Sequence, residues 1–310
     1  MRKLMTALVT GVVLAAVAAM AWAQGTWATD GPLLPTPRSE IGAAVVDGQI
    51  YVLGGGIGAA QQANEVLDLS TGQWRTGTAM PRGLNHHGVA ALNGRVYVFG
   101  GSDESGRPTN AALEYDPTTN AWRALKDLPT PRSSPGVAVL NGTLYVVGGI
   151  AARNSPVVEI YDPVADAWST GPALGVARDH FVLAESGGRL FAIGGRIGNF
   201  ARNVDTVEIL EPGAAAWTFG APLPQPRSGI AGSVLGGLVY VFGGEDPGQT
   251  YGEVFAYNPA TDTWSESIPP MPTPRHGLAA VEAGGRIHVI GGGTSPGGGA
   301  DSSFHEILTP

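Results

Sequence analysis

Three side chains in this 310-residue sequence are able to carry protons or bind a polar ligand from equivalent places in a repeated pattern: Glu40, His86 and His180. Each stands just before the first apolar stretch of a repeat, where the other copies carry Ser134, Gly229 and Gly277. A site has to break a repeat's symmetry, so positions that differ between copies are the informative ones. One carboxylate with two imidazoles suits proton shuttling or the binding of a polar ligand. The histidines show no familiar metal-ligand spacing, even at the adjacent pair His86-His87, so no metal and no cofactor are expected. No nucleophile–base pair stands out either. The main reading therefore assigns no catalytic residue, and Glu40, His86 and His180 are the acid/base set of an alternative, enzymatic one.

Further candidates follow the Gly-Gly pairs described below. Arg153 and Arg196 stand directly or nearly after them, and Phe200 and Tyr251 can supply an aromatic wall. With His86 and His180 these six form the expected ligand-binding set, an arginine being suited to pairing with a sugar-acid carboxylate.

The elements that must position these residues are set by an internal repeat. A ring residue, two apolar residues and Gly-Gly recur at Tyr51–Gly55, Tyr97–Gly101, Tyr145–Gly149, Phe191–Gly195, Tyr240–Gly244 and His288–Gly292, spaced 46 to 49 residues apart. An arginine, mostly within Pro-Arg, precedes each: Arg38, Arg82, Arg132, Arg178, Arg227 and Arg275. A tryptophan follows the first five, at positions 74, 122, 168, 217 and 264, and the sixth, Trp27, lies at the other end of the chain. Pairs such as Asp47-Gly48, Asn93-Gly94 and Asn141-Gly142 are signals for the two-residue turns that join antiparallel strands.

Each unit therefore reads as four short strands. A lone four-stranded sheet has two apolar faces to bury, and stacking such sheets radially about an axis buries both. Small residues belong on the innermost strand, and tryptophans fill the wider gaps further out. The chain ends after a third-strand pattern, Phe304–Leu308, with no tryptophan of its own. The strand around Trp27 is expected to complete that last blade. Glu65, Glu159, Glu208 and Glu306 recur at equivalent third-strand positions and read as scaffold partners of the repeated arginines. The stretch Gly291–Gly299 reads as a flexible rim loop.

At its start the sequence has Arg2-Lys3, an uncharged apolar run from Leu4 to Met20, and Ala21-Trp22-Ala23. This is the pattern of a removable signal peptide over 1–23, leaving a single domain over 24–310 in a secreted or periplasmic protein. The remaining 287 residues have a net charge of −10 and one lysine, Lys126, which argues against nucleic acid as a partner. No membrane insertion is expected after cleavage, and the protein reads as a monomer. There is no cysteine, which rules out thiol catalysis and iron–sulfur clusters.

Arginine, Gly-Gly and tryptophan recurring six times at a period near 50, together with aromatic-Asp-Pro turns at Tyr115–Pro117 and Tyr161–Pro163, resemble the kelch family across essentially all of the chain after position 23. The resemblance implies an all-β, six-bladed propeller whose innermost strands line a central channel. It also implies that the loops before the first strand and after Gly-Gly gather on one face, where partners bind. Most kelch propellers are binding modules, so a protein or carbohydrate ligand on that loop-rich face is the leading expectation. Six-bladed kelch proteins also include periplasmic sialic-acid epimerases, which makes a sugar-acid epimerase or mutarotase the alternative. A copper-radical oxidase resembling galactose oxidase requires a cysteine that this chain lacks.

Overall fold

The computed structural model describes residues 25–56 and 60–310. The expected signal peptide lies outside them. Among the described residues there are six four-stranded antiparallel sheets and one short hairpin. The first blade shows the plan: strands Gly42–Val46, Gln49–Leu53, Asn64–Asp68 and Gln73–Thr76 pair in chain order. The innermost strands of the other blades are Gly88–Leu92, Gly136–Leu140, Val182–Ser186, Ser228–Leu235 and Ala279–Ala283. The expected turns are present, with Asp47, Asn93 and Asn141 at φ near 50° and glycine at φ above 70° after each.

Close approach at the axis explains the small residues there. A Cβ on Gly42 would stand 2.2 Å from the Val89 side chain, and one on Gly88 2.1 Å from Val137. The second glycine of each Gly-Gly pair is held at φ between 93° and 106°, against the carbonyl of the residue that follows the repeated arginine or, in the second blade, of Asn85, which follows Leu84. Further out, the tryptophans staple neighbours together. Among the described residues, every one of the six indole N–H groups donates to a carbonyl at the end of the preceding blade, Trp74 to Pro32 at 3.0 Å and Trp264 to Ala221 at 2.9 Å, for example.

Trp27 does the same, donating to the Pro269 carbonyl at 2.9 Å. Its strand, Thr26–Ala28, pairs with His305–Thr309 in the register Thr26↔Thr309, Trp27↔Leu308, Ala28↔Ile307. The ring is thus closed by an N-terminal strand completing the sixth blade, as the missing tryptophan predicts.

The repeated arginines are scaffold. Arg38, Arg132, Arg178 and Arg275 are fully buried and pair with Glu65, Glu159, Glu208 and Glu306 of their own blades. Their backbone carbonyls do the inter-blade work, each accepting from the second glycine of the preceding blade, as in Gly149 to Arg178 at 2.9 Å. Arg82 departs from the sequence pattern: it is exposed, and Leu84 occupies the arginine's place, its carbonyl accepting from Gly55 at 2.9 Å. The two extra residues after Arg82 shift it out of register. Leu113, opposite Val98, replaces the glutamate of that blade, so arginine and glutamate are lost together. In the fifth blade Arg227 stays, but Phe255 takes the glutamate's place and the guanidinium lies 4.5 Å from the Tyr251 ring centre and 4.6 Å from that of Phe255.

Blade six departs at its ring residue. His288 Nδ1 and His305 Nε2 are 2.8 Å apart in the core, and His305 is lowered to about 4, by burial first and then by His288. An unfolded histidine takes its proton near pH 6.5, whereas folded His305 does not until about pH 4. Between those values the unfolded state binds more protons, so stability falls as pH falls through that window. Unfolding free energies from urea titrations at pH 7.5 and pH 5 should therefore differ, and His288→Phe/His305→Leu should shrink the difference by an amount on the order of 2 kcal/mol. An unchanged pH profile would contradict the assignment.

Candidate functional site

Glu40, His86, Ser134, His180, Gly229 and Gly277 form a ring at one mouth of the channel, all at φ between 51° and 66°. Their backbones are linked around the axis: Glu40 N donates to Gly277 O, His86 N to Glu40 O, Ser134 N to His86 O, Gly229 N to His180 O and Gly277 N to Gly229 O, at 2.7 to 3.1 Å. The left-handed conformation aims each side chain at the axis. It suits glycine, and it costs other residues about 1 kcal/mol or more. Glu40, His86 and His180 therefore hold their places against backbone preference, in a ring where two blades use glycine.

They line a cavity of about 110 Å³ with His87, Ser134 and Phe181. His86 Nε2 is 3.3 Å from Glu40 Oε2, and the His86 and His180 rings meet edge to face with centres 5.0 Å apart. One potential ligand atom from each of Glu40, His86 and His180 lies within 4.8 Å of the others. The sequence-derived acid/base set is brought together in one place.

A second layer orients both imidazoles. Asn85 donates through Nδ2 to the Gly56 carbonyl at 2.8 Å, which leaves its Oδ1 to face His86 Nδ1 at 2.8 Å. The neutral His86 ring then carries its proton on Nδ1 and presents a lone pair on Nε2. His180 Nδ1 likewise donates to Asp179 Oδ1, and Asp179 Oδ2 accepts from Asn154, whose own Oδ1 accepts from Gly198 N at 2.7 Å.

Arg196 closes this network. Its Nε donates to Asp179 Oδ1 at 3.1 Å, one terminal nitrogen reaches Glu245 Oε1 at 3.1 Å and the other the His180 Nε2 lone pair at 2.8 Å. His276, 1% exposed, sits between two carboxylates, 3.5 Å from Glu40 Oε1 and 3.6 Å from Glu245 Oε2. The hairpin Gly293–Ser295/Gly299–Asp301 takes the place of the expected flexible rim loop, and its tip residue Gly297 donates to Glu245 Oε2 at 2.7 Å.

The charges settle accordingly. Burial alone would raise Glu40, but His86, His276 and His180 together outweigh it and hold the carboxyl well below the usual range. Burial lowers His86 to about 4 despite the opposing pull of Glu40. For His276, burial favours the neutral form, yet Glu40 and Glu245 outweigh it and raise the group. Asp179 is lowered: burial pushes it up, and the bond from His180 and the charges of His180 and Arg196 pull it further down.

The other sequence candidates lie at different distances from this cluster. Phe200 packs beside it, its ring centre 6.0 Å from the Arg196 guanidinium carbon. Arg153 is exposed on the rim, in the loop that carries Asn154. Tyr251 is buried against Arg227 and bonds Asp246, away from the mouth. Sequence reasoning missed Asp179 and His276. Both directly follow the repeated arginine, where three blades have serine (Ser39, Ser133 and Ser228), and that break in symmetry was the available signal.

The fold and the repeat chemistry define a six-bladed kelch-type propeller. The chain belongs to the kelch-repeat family: the KLHDC2/KLHL20/DRC7 Kelch-repeats domain matches residues 9–195, and the Kelch motif matches residues 177–224 and 226–272. Among solved structures it is similar to that described as "Structure of YjhT", with a TM-score of 0.78 over 89% of this chain and 96% of that one. At 19% identity the likeness is one of fold. No curated protein matches the sequence. Among the described residues no helix is long and apolar enough to cross a membrane.

Proposed function

We propose that this protein is a monomeric binding propeller working outside the cytoplasm, which takes the hydroxyl-bearing end of a neutral carbohydrate into the channel mouth. The observation that carries this reading is the convergence of Glu40, His86 and His180 on one cavity, at ring positions that two other blades fill with glycine. The Glu40 carboxylate and the His86 Nε2 lone pair are acceptors for sugar hydroxyls, and Phe181 offers an apolar wall, with Phe200 beside Arg196. A cavity of about 110 Å³ admits the end of a ligand rather than a whole saccharide. The apolar run after Arg2-Lys3 supports export.

Charge favours a neutral ligand over a sugar acid. Arg196 is already paired with Asp179 and Glu245, so a ligand carboxylate would have to displace one of them. Around the mouth the carboxylates of Glu40, Asp179 and Glu245 outnumber the arginine Arg196, with His276 between two of them.

A thermal-shift screen tests this. Neutral sugars should raise the melting temperature of the wild type and not of Glu40→Gln. A shift confined to sugar acids and abolished by Arg196→Ala would overturn it in favour of a sugar-acid site. No shift with any sugar would point to a protein partner on the loop-rich face.

One observation favours the enzymatic alternative. Glu40 and the Asp179-oriented His180 face one cavity, as an acid and a base for sugar ring opening or epimerisation would. It requires that the protein accelerate anomer exchange of a bound sugar, with loss of at least about 100-fold in His180→Gln. Exchange at the rate of buffer alone would remove it.

A further inference from the structure

We propose that Glu40, His86 and His180 form a three-ligand site for a divalent transition-metal ion of the zinc class at the channel mouth. The proposal deepens the reading of the mouth as a binding site and rests on it.

The first ground is a contact that lacks something between its partners. Asn85, fixed by the Gly56 carbonyl, places the His86 proton on Nδ1. The His86 Nε2 lone pair then faces Glu40 Oε2 across 3.3 Å, one acceptor against another. A cation in that gap turns a repulsive contact into two bonds. Ligands about 2.0–2.1 Å from a tetrahedral ion stand about 3.3 Å apart, which is the spacing of this pair. The remaining His180 atom, within 4.8 Å of both, needs a small inward shift.

The second ground is the outer layer. A metal-binding histidine characteristically donates its other ring N–H to a carboxylate, carbonyl or amide oxygen, which fixes the tautomer and strengthens the donor. His86 does so to Asn85 and His180 to Asp179, with Asp179 itself held by Asn154. These orienting residues come from the same two blades as the imidazoles. Blade three, which carries Ser134 in the ring, has Ser133 at the orienting position.

The third ground is an unpartnered side chain at the same cavity. His87 is 6% exposed, lines the cavity, and has no hydrogen-bond partner at either ring nitrogen. A polar group so placed calls for an occupant of the cavity, such as an ion-bound water. Two imidazoles and one carboxylate select zinc-class ions over magnesium or calcium, which take oxygen ligands. Three protein ligands leave the fourth position open to the channel, where a hydroxyl of the proposed carbohydrate would fit.

Arg196 opposes the ion and gives the sharpest test. Its guanidinium donates to the His180 Nε2 lone pair at 2.8 Å, so a metal must displace that bond while Arg196 keeps Asp179 and Glu245. Arg196→Met removes both the competing donor and a nearby positive charge. Chelator-stripped protein titrated calorimetrically with zinc chloride alone should bind about one equivalent. Cobalt(II) in its place should give the visible absorption of a tetrahedral site.

His86→Gln and His180→Gln should each weaken zinc binding by about 100-fold or more, whereas Arg196→Met should tighten it by about 10-fold. Because Arg196→Met predicts a gain, a misfolded variant cannot imitate it. Absence of stoichiometric binding, or affinity indifferent to both histidine substitutions, would overturn the proposal. A neutral-sugar thermal shift that survives in chelator, with no zinc binding, would remove the metal and leave the binding site. Loss of both signals would remove both.

Discussion

Arg275→Leu should destabilise the fold by about 3–5 kcal/mol, and adding Glu306→Leu should restore most of that loss. Arg275 is fully buried and Glu306 is 3% exposed, with 2.9 Å between the charged groups. Burial lowers the guanidinium to about 10, with the Glu306 charge opposing, so the arginine stays charged at neutral pH but carries a desolvation cost. Removing the arginine alone leaves a carboxylate in a dry interior with no counter-charge. Removing both takes away two desolvation penalties together with one attraction, and in favourable cases that is neutral or better. The second blade already shows this state, with Leu84 and Leu113 where the others have arginine and glutamate. A double-mutant cycle by urea unfolding measures the coupling directly. A double variant no better than the single would show that the pair contributes net stability.

Trp27→Ala should cost about 3 kcal/mol and open the ring at a defined place. Trp27 contributes its indole bond to Pro269 and an edge-to-face contact with Phe242 at 6.2 Å. It also anchors the three-residue strand that alone covers the outer side of His305–Thr309. Of the other five tryptophans, four sit on fourth strands tied covalently to their own blades and Trp217 stands just before one, whereas Trp27 joins the N-terminal strand to the last blade. The loss should therefore appear first as faster amide exchange in His305–Thr309, ahead of every other third strand. Uniform acceleration around the ring would contradict the closing role.

The scaffold was legible in the sequence because it repeats. Gly-Gly, the turn pairs, tryptophan and the Arg–Glu partnership each recur at fixed intervals, and geometry shared by six units leaves a periodic trace. Arg82 was misplaced because only spacing, and no chemistry, distinguished it from the arginines that are in register. The mouth was partly legible: Glu40, His86 and His180 stood out against Ser134, Gly229 and Gly277, and the structure unites them. Their supports were not. Asp179 bonds His180 one residue on, but it reaches Arg196 only because the strand end bearing Arg196 folds back beside it. Glu245 meets Arg196 and His276 across two blade boundaries, a closeness that no linear interval encodes.

The central claim is that the mouth cluster exists to bind, on a scaffold that stands without it. Glu40→Gly/His86→Gly/His180→Gly tests it most directly, because glycine already fills that ring position in two blades and relieves three left-handed backbones. The account predicts a melting temperature within about 3 °C of the wild type, or above it, with the sugar-induced shift abolished. A fall of about 10 °C or more would show that the cluster holds the propeller together, and would contradict the claim that it is there to bind a ligand.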